Sequence, residues 1–266
     1  MSRQQLSVIW LSTLPVPAAL TGEAELSVTA AAAVRLVGRD FDSPVVVVTD
    51  RQAMVAEACA AGLPCIGIER GVERLSAPYI YESETDIDRE AIERAYRRFH
   101  QLPLTIAKTK RLTIRELSEA DFEFVLTLAD SDPAAADERL TGEKLSSQIR
   151  VAYPFYGFGI WLIESAPGQR DDKLRPIGIL SFSPDAMPAI GYQLLPEERG
   201  QGLAAEAAAA GLAYMRELGY EAFVCRIAAD NKASQRVAEK LGFVRCADGN
   251  WNWTSKSQSI YNKGDT

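Results

Sequence analysis

Apolar positions in the second half of the chain alternate between strand-like runs and helix-like stretches. An apolar run at 189–195 ends at Pro196, which lacks the N–H group that a sheet ladder needs. An alanine-rich helix is predicted over 203–218, and Gly219 follows it, as glycine commonly does at a helix C-terminus. With the apolar stretches that come later, residues 189–245 predict the order strand, turn, helix, strand, helix, strand.

The turn between this strand and this helix is rich in glycine. A glycine-rich turn that opens a helix leaves main-chain N–H groups unpaired, with the positive end of the helix dipole behind them. Such a turn binds phosphate. The sequence therefore predicts a phosphate site at Arg199-Gly200-Gln201-Gly202-Leu203-Ala204.

The first hundred residues have a different pattern. Val45 to Val48 form a continuous β-branched run, which predicts a parallel strand covered on both faces. A helix at 51–61 and an apolar strand at 65–68 complete a right-handed parallel crossover. The other elements predicted here are a helix at 25–36, a strand at 79–81 and a helix at 87–99.

Between these two parts the pattern predicts antiparallel strands. Residues 111–117 alternate as a half-buried strand does, and Ser118 and Asp121 form a capping pattern for a helix that ends near Leu128. Strands at 158–164 and 176–182 are joined by short polar connections, so the sheet is expected to be mixed. We expect the aromatic cluster at 153–158 to pack in the core.

Length and composition add a domain count and exclude several classes of protein. A chain of 266 residues favours two domains, and 47% hydrophobic residues suffice for buried cores. The chain lacks an apolar run of 18 residues and a signal peptide, so we expect a cytoplasmic protein without a membrane partner. The net charge of −7 argues against a nucleic-acid partner and suits a cationic amine. The four isolated cysteines are expected to be small, reduced residues of the core.

Four motifs follow one another in the second part of the chain. They are Thr109-x-Arg111 to Leu117 with Asp121, then Arg199-x-x-Gly202-x-Ala204, Asn231-x-x-Ser234, and Lys240-Leu241-Gly242-Phe243. In this order they resemble the GNAT superfamily of acyl-CoA-dependent N-acetyltransferases, in its ribosomal-protein N-terminal acetyltransferase branch. The resemblance covers residues 109–247, and it implies a domain with a mixed, splayed sheet.

This resemblance implies acetyl-CoA as the acyl donor and a role for each matching residue. The main chain of the splayed strand would pair with the pantetheine arm, and Ser234 would give a proton to the leaving thiolate. A branch of the family places a tyrosine seven residues after the asparagine for that purpose, but this chain has Ala238 there. The cofactor-binding residues implied are Gln193, Leu194, Leu195, Arg199, Gly200, Gln201, Gly202, Leu203, Ala204 and Asn231.

The mechanism implied is direct attack of a neutral primary amine on the thioester, with a main-chain N–H of the splayed strand stabilising the oxyanion. The acceptor would be a small molecule or a protein N-terminus. No residue stands out as the base, and Glu164 and Glu198 are candidates by location only. We expect Glu206 to be a solvated carboxylate of the first helical turn, and His100, the only histidine, to be structural.

A dinucleotide site is the competing interpretation of the glycines. Gly200-x-Gly202-x-x-Ala205 fits that fingerprint as a string, and Asp230 follows the next strand as a ribose-binding acid would. The spacing disfavours it, because residues 196–199 separate the strand from the first glycine. A nicotinamide dehydrogenase is accordingly a remote alternative.

Residues 45–68 resemble the late strand-helix-strand unit of haloacid-dehalogenase-type phosphatases. The paired aspartates of those enzymes are missing, because the first apolar segment reads Val8-Ile9-Trp10-Leu11-Ser12-Thr13. We expect Asp50 to be a cap or turn carboxylate and the domain to be degenerate.

The sequence thus predicts a degenerate parallel α/β domain at 1–100, an ordered linker at 101–108 and an acetyltransferase domain at 109–266. The favoured function is acetyl-CoA-dependent N-acetyl transfer. The alternative is a non-catalytic acyl-CoA-sensing protein in which the first domain binds a partner. The sequence leaves open whether the chain forms a homodimer.

Overall fold

A computed structural model describes residues 6–21, 26–30, 35–36, 44–71, 73–131, 141–165 and 174–254, with only the backbone at 26–30. Contacts divide the chain into two compact units, Met1–Leu104 and Thr105–Thr266. Each unit is considered by itself. The predicted domain limits stay a prediction, although Thr105–Lys108, placed in the linker by the sequence, forms a strand of the second unit.

The first unit is a parallel sheet with helices. Its strands run in the order β2-β1-β3-β4-β5, and every adjacent pair is parallel. The elements are β1 Leu6–Trp10, α1 Ala18–Thr21, β2 Leu26–Ala30, β3 Val45–Thr49, α2 Gln52–Ala60, β4 Cys65–Ile68, β5 Tyr79–Tyr81 and α3 Arg89–Phe99.

Strand β3 is covered on both faces, as its unbroken run of valines predicts. Val46 and Val48 pack with Ile92 of α3 in one buried cluster, whereas Val45 and Val47 pack in another. Every residue of β3 is buried. The alternation of side chains along a strand places neighbouring valines on opposite faces, so both faces need an apolar cover.

The helix predicted at 25–36 is wrong, because residues 26–30 form β2. Backbone pairing with β1 joins Leu6 to Leu26 and Trp10 to Ala30 in a regular parallel register. The alanines of this segment favour a helix locally, but the sheet edge offers a complete row of hydrogen bonds to the incoming strand. Residues 31–34, which the helix prediction included, lie outside the described part.

The second unit contains a five-stranded antiparallel sheet and a three-stranded sheet, so the predicted fold class is confirmed. The strands lie in the orders β10-β9-β8-β7-β6 and β11-β13-β12. The strands are β6 Thr105–Lys108, β7 Leu112–Glu116, β8 Ile160–Ser165, β9 Arg175–Phe182, β10 Ile190–Leu194, β11 Ala222–Cys225, β12 Val244–Arg245 and β13 Trp251–Thr254. The helices are α4 Phe122–Ser131, α5 Gly142–Ser147, α6 Tyr153–Tyr156, α7 Leu203–Glu217 and α8 Lys232–Lys240.

The two sheets of this unit meet at one point and then separate. A single parallel bridge joins Ala189 to Val224, where the Val224 N–H donates to the Pro188 carbonyl over 3.0 Å. Beyond it, the described residues of β10 and β11 form no ladder, and the two strands belong to different sheets. The edge of β10 toward Leu194 thus has no strand partner on this side among the described residues, and we call this unpaired side of β10 the cleft.

Helix α7 lies close against the sheet because small residues line its inner side. Ala207 and Ala208 are fully buried, and a Cβ atom on Gly211 would lie 2.5 Å from Leu180 Cδ2 and 3.0 Å from Phe182 Cε2. A larger residue at 211 would force the helix away from the sheet.

Other expectations have mixed outcomes. His100 follows α3, and its ring packs on Tyr96 and Phe99, with centroids 4.5 and 5.1 Å away, as a structural residue does. The four cysteines are free, but Cys59 is exposed and is not a core residue. No helix in the described part is long and apolar enough to cross a membrane.

Candidate active site

The turn after β10 folds as its glycines require. Pro196–Glu198 form a short 3-10 turn, and Gly200 and Gly202 then adopt φ angles of 76° and 77°, a region that side chains disfavour. A Cβ atom on Gly200 would meet nothing within 4 Å, and one on Gly202 would meet only Arg111 Nη2, at 3.8 Å. The turn is thus open on its outer side.

The main-chain donors of this turn are available to a ligand. The first bond of the α7 ladder runs from Glu206 N to Gly202 O, over 3.1 Å. Within the described residues, the N–H groups of 200–205 donate to no other part of the chain. They lie at the positive end of a 15-residue helix, which favours an anionic partner.

Two arginines hold the turn in place. Arg199 Nε donates to the carbonyl of Leu194 over 3.1 Å, which ties the turn to the end of β10. Arg111 Nη1 donates to the carbonyl of Gln201 over 2.9 Å. Both bonds use carbonyl oxygens, so in the described part of the chain the N–H groups of 200–205 keep no protein acceptor.

Glu206 anchors the start of α7, and the expectation of a solvated carboxylate is wrong. Its carboxylate accepts hydrogen bonds from Thr109 Oγ1 at 2.5 Å, from Arg111 N at 3.2 Å and from Arg111 Nε at 2.6 Å. Burial alone would raise the pKa of Glu206, but the bonds from Thr109 and Arg111 and the charge of Arg111 together lower it. The carboxylate therefore stays ionised and fixes the turn to the β6–β7 connection.

The ladder between β10 and β9 decides which main-chain groups face the cleft. Leu195 N donates to Ile177 O over 2.9 Å. In a regular antiparallel ladder every second residue bonds to the same partner strand, so the main chain of Gln193, like that of Leu195, is paired with β9. The N–H and C=O groups of Gln193 and Leu195 therefore point to β9. The N–H and C=O groups of Tyr192 and Leu194 point to the open side. There, the Leu194 carbonyl accepts a hydrogen bond from Arg199 Nε.

Gln193 instead connects β10 to the opposite layer through its side chain. This side chain is 4% exposed, and its Nε2 donates to the carbonyl of Leu128 in α4 over 2.7 Å. Of the three strand residues singled out from the sequence, Leu194 alone keeps a main-chain N–H toward the cleft.

Ser234 lies in the first turn of α8, on the other side of the cleft. Asn231 is the N-cap, and its Oδ1 accepts the Ser234 N–H over 3.0 Å. Ser234 is half-buried, and its hydroxyl lies near the phenol of Tyr192. Burial raises the pKa of Tyr192, the nearby Ser234 hydroxyl offsets part of the rise, and Cys225 raises the pKa slightly.

Both carboxylates considered as bases form ion pairs. Glu164 Oε1 accepts from Arg115 Nη2 at 2.9 Å, and Arg115 also pairs with Asp121 at 2.8 Å. Glu198 is 4% exposed and pairs with Arg175. Neither is a free carboxylate, so the base is not identified among them.

The aromatic cluster divides between core and surface. Tyr153 and Phe158 are 2% and 1% exposed, and Tyr153 Oη accepts the N–H of Leu117. Phe155 is 78% exposed and Tyr156 is 40% exposed. The expected packing role therefore applies to two of these four aromatic residues.

The first unit has its own polar group at the ends of β1 and β3. Asp50 Oδ2 accepts from Thr13 Oγ1 at 2.6 Å and from Thr13 N at 3.1 Å. Asp50 does not cap α2, whose N-cap is Arg51, so the alternative of a turn carboxylate applies. The described residues contain no group of three or more His, Cys, Asp or Glu side chains that could hold a metal ion.

Comparison with known proteins gives a family for the second unit. A profile of the family described as acetyltransferase (GNAT) domain matches residues 111–244, about half of the chain. No curated protein matches the sequence at a significant level. The dinucleotide interpretation is wrong, because the profile matches an acetyltransferase domain and β10 pairs antiparallel with β9.

Solved structures with related backbones include three acetyltransferases. The acetyltransferase from Agrobacterium tumefaciens is 23% identical and covers 55% of this chain and 91% of its own, with a TM-score of 0.45. For the GNAT-family acetyltransferase from Bacillus anthracis these values are 22%, 55%, 95% and 0.41. For RimL, named as a ribosomal L7/L12 alpha-N-protein acetyltransferase, they are 19%, 57%, 93% and 0.44.

Sequence reasoning missed two residues of this site, Tyr192 and Arg111. The strand register determines the orientation of the Tyr192 main chain, since alternate residues of β10 bond to β9 or face the open side. The sequence indicates Arg111 only as part of a strand motif, yet in the structure it contacts Gln201 and Glu206, which lie 90 and 95 residues later. The alternation of 190–194 could have indicated Tyr192, but no local signal indicates a contact across 95 residues.

Proposed function

Because the chain belongs to the GNAT acetyltransferase family and is thus an N-acetyltransferase, we propose that it transfers the acetyl group of acetyl-CoA to a primary amine. The observation that carries this proposal is the open turn at 199–204, placed at the end of a strand that has separated from its neighbour. Phosphate oxygens accept hydrogen bonds, and the N–H groups of 200–204 are donors without an acceptor in the described chain. The two chemistries fit each other.

The residues that would hold the diphosphate are Gly200, Gln201, Gly202, Leu203 and Ala204, through their main-chain N–H groups. Each glycine lacks a side chain where the ligand would approach, which supports this fit. Arg199 adds positive charge at the surface, although its Nε already bonds to the chain. The N-cap role of Asn231 is compatible with the predicted position beside the pantetheine arm.

The open edge of β10 would bind the pantetheine arm. Tyr192 contributes an N–H and a C=O to this edge, and Leu194 contributes an N–H. We assign the predicted strand contact to these two residues, because the main chain of Gln193 and Leu195 is paired with β9. A main-chain N–H here would stabilise the oxyanion.

When bound, acetyl-CoA supplies the acetyl group as an activated thioester. The protein supplies position and one proton. Ser234 would donate its hydroxyl proton to the departing sulfur, as its place at the start of α8 allows. The proton lost from the amine would pass to water, because the candidate carboxylates Glu164 and Glu198 are held in ion pairs.

The acceptor would be a small amine or a protein N-terminus. The net charge of −7 favours a cationic acceptor over an anionic one. The first unit would be a degenerate haloacid-dehalogenase-like domain without phosphatase activity, because its first apolar segment lacks the paired aspartates and Asp50 accepts a hydrogen bond from Thr13 instead.

A released-thiol assay with acetyl-CoA and a panel of amines and peptides tests this function. Turnover on at least one acceptor is expected. The second candidate is acyl-CoA sensing, which is favoured by the absence of an unpaired carboxylate base among those considered. Tight acetyl-CoA binding without turnover on any acceptor would select that candidate and contradict the transfer proposal.

A further inference from the structure

Two carboxylates lie close to the turn at 199–204, where the proposed function places a diphosphate. Glu198 immediately precedes the turn and is 4% exposed, and Glu206 lies in the first turn of α7. A negative charge this close to a phosphate site repels the phosphate, and a buried charge is screened less than an exposed one. The turn holds a diphosphate well only if positive charge offsets this repulsion.

Each of the two carboxylates is paired with an arginine at the end of a strand. Glu206 Oε2 lies 2.6 Å from Arg111 Nη2, and Arg111 immediately precedes β7. Glu198 Oε1 accepts a hydrogen bond from Arg175 Nη2, and Arg175 is the first residue of β9. The two pairs therefore place one positive charge beside each negative one.

The Arg175–Glu198 pair lies directly against the inner side of the turn. Arg175, Glu198 and Gln201 line one small cavity, together with Arg111 and the last residue of β8, Ser165. The cavity has a volume of about 20 Å³ and holds about one water molecule, so little water separates the pair from the turn. Glu198 Oε2 is also 3.5 Å from Gln201 Nε2, and Gln201 belongs to the turn.

We propose that Arg175 is a positioning residue for the diphosphate, which holds Glu198 against the inner side of the turn and offsets its charge. This role rests on the proposed function, since it requires that acetyl-CoA places its diphosphate on the turn. Arg175 itself does not contact the ligand. Its effect passes through Glu198, so affinity follows the sum of the charges at the inner side of the turn.

A purely structural role for the pair predicts a different pattern of affinities. The turn keeps two other anchors when the pair is changed. Arg199 Nε bonds to Leu194 O, and Arg111 Nη1 bonds to the carbonyl of residue 201. If the pair only held the turn in shape, changing either partner would weaken acetyl-CoA binding. If the pair acts through charge, removing the carboxylate strengthens binding and removing the guanidinium weakens it.

Calorimetry with acetyl-CoA at low salt separates these two roles in the full-length protein. The variants are Glu198→Gln, Arg175→Gln, Arg175→Lys and the double variant Glu198→Gln/Arg175→Gln. Glu198→Gln removes a charge but keeps the size of the side chain and an oxygen that accepts from Arg175. Arg175→Lys keeps the charge but loses the planar guanidinium.

Glu119→Gln is the matched control for these variants. Glu119 pairs with Arg150 over 3.2 Å in the same unit, and neither residue lines the cavity beside the turn. The control therefore removes an acidic partner of an ion pair and changes the net charge of the protein equally. Urea unfolding of every variant shows that it is folded.

Glu198→Gln is expected to bind acetyl-CoA about threefold more tightly than the wild type, and Arg175→Gln about three- to fivefold more weakly. Arg175→Lys and the double variant should stay within about twofold of the wild type, because the sum of charges is unchanged in both. Glu119→Gln should bind as the wild type does. If Arg175→Gln does not fold, the Glu198→Gln and Arg175→Lys affinities decide the question.

The results that would overturn the inference differ in what else they remove. If Glu198→Gln binds acetyl-CoA no more tightly than the wild type, or if Arg175→Lys binds it more than about fivefold more weakly, the pair does not act through charge and the proposed function stands. If the wild type does not bind acetyl-CoA, both the inference and the proposed function fail.

Discussion

Two junctions of the molecule have the same local order, a strand followed by a turn and a helix, but they differ in what they offer a ligand. At the β3–α2 junction, Arg51 N donates to Thr49 Oγ1 over 3.2 Å, and Gln52 N donates to Glu73 Oε2 over 3.3 Å. At the β10–α7 junction, the corresponding N–H groups donate to nothing in the described chain. The first junction is closed by its own side chains, and the second is open.

This difference shows that a helix N-terminus is a binding site only where the chain leaves its donors unpaired. Both α2 and α7 have a dipole and a first turn of free N–H groups in principle. In α2 a carboxylate from the same unit already takes the place of an anion. Before α7, Gly200 and Gly202 flank Gln201 with positive φ angles, and no side chain in the described chain accepts from the N–H groups of 200–205.

The largest effect is expected from closing the open junction. Gly202→Val should reduce acetyl-CoA affinity by more than about a hundredfold, because the side chain displaces the phosphate from several charge-assisted bonds, each contributing about 1.5 to 3 kcal/mol. Calorimetry with acetyl-CoA measures this loss.

Gly219→Val is the matched control for that variant. Gly219 follows the other end of α7, has a φ of 91°, and has nothing within 4 Å of an added Cβ. Both substitutions introduce similar backbone strain, so only Gly202→Val should abolish binding. Equal losses in the two variants would mean that strain in α7, not the open turn, explains the effect.

A smaller effect is expected from releasing the anchor of α7. Glu206→Gln should lower the free energy of unfolding by about 1.5 to 3 kcal/mol at neutral pH, because the variant loses a charged acceptor of three hydrogen bonds. Urea unfolding measures it. Glu217→Gln, at the exposed last turn of the same helix, is the control.

The pH dependence of this difference has a definite sign. The pKa of Glu206 is lowered in the folded protein, so its contribution is complete above about pH 4.3, the ordinary glutamate pKa, and disappears as the pH falls through the folded value. The gap between wild type and Glu206→Gln should therefore be widest at neutral pH and shrink in acid. A gap that stays constant down to about pH 3 would contradict this assignment.

These first predictions depend on features that the sequence indicated to different degrees. Gly200 and Gly202 indicate the open turn from the local sequence alone, since few other residues adopt positive φ angles. The bond of Glu206 to Arg111 could not be predicted, because it joins residues 95 positions apart that no local pattern connects. Strand β2 was missed for the same reason, since its partner β1 lies about twenty residues earlier.

A modest effect is expected from the charge beside the open turn. Arg199→Ala should weaken acetyl-CoA binding by about fivefold at most, because an exposed ion pair contributes up to about 1 kcal/mol. The difference should decrease as salt is added, since salt screens exposed charges. Titrations at low and high salt measure it, and a loss as large as that of Gly202→Val would mean that Arg199 is the main ligand.

The smallest effect is expected from opening the closed junction. Glu73→Gln weakens the acceptor for Gln52 N but leaves the open junction unchanged. Acetyl-CoA affinity should equal that of the wild type. The free energy of unfolding should fall by about 1 kcal/mol or less. Calorimetry and urea unfolding test both parts, and altered acetyl-CoA affinity would show that the two junctions are not independent.

Hydrogen exchange of the two junctions tests the central claim most directly. In the free protein the amides at 200–205 should exchange faster than those of Arg51 and Gln52, which are already bonded. Saturating acetyl-CoA should slow exchange at 200–205 and leave Arg51 and Gln52 unchanged. If exchange at 200–205 is unaffected while acetyl-CoA is bound, the turn does not hold the diphosphate and the account fails.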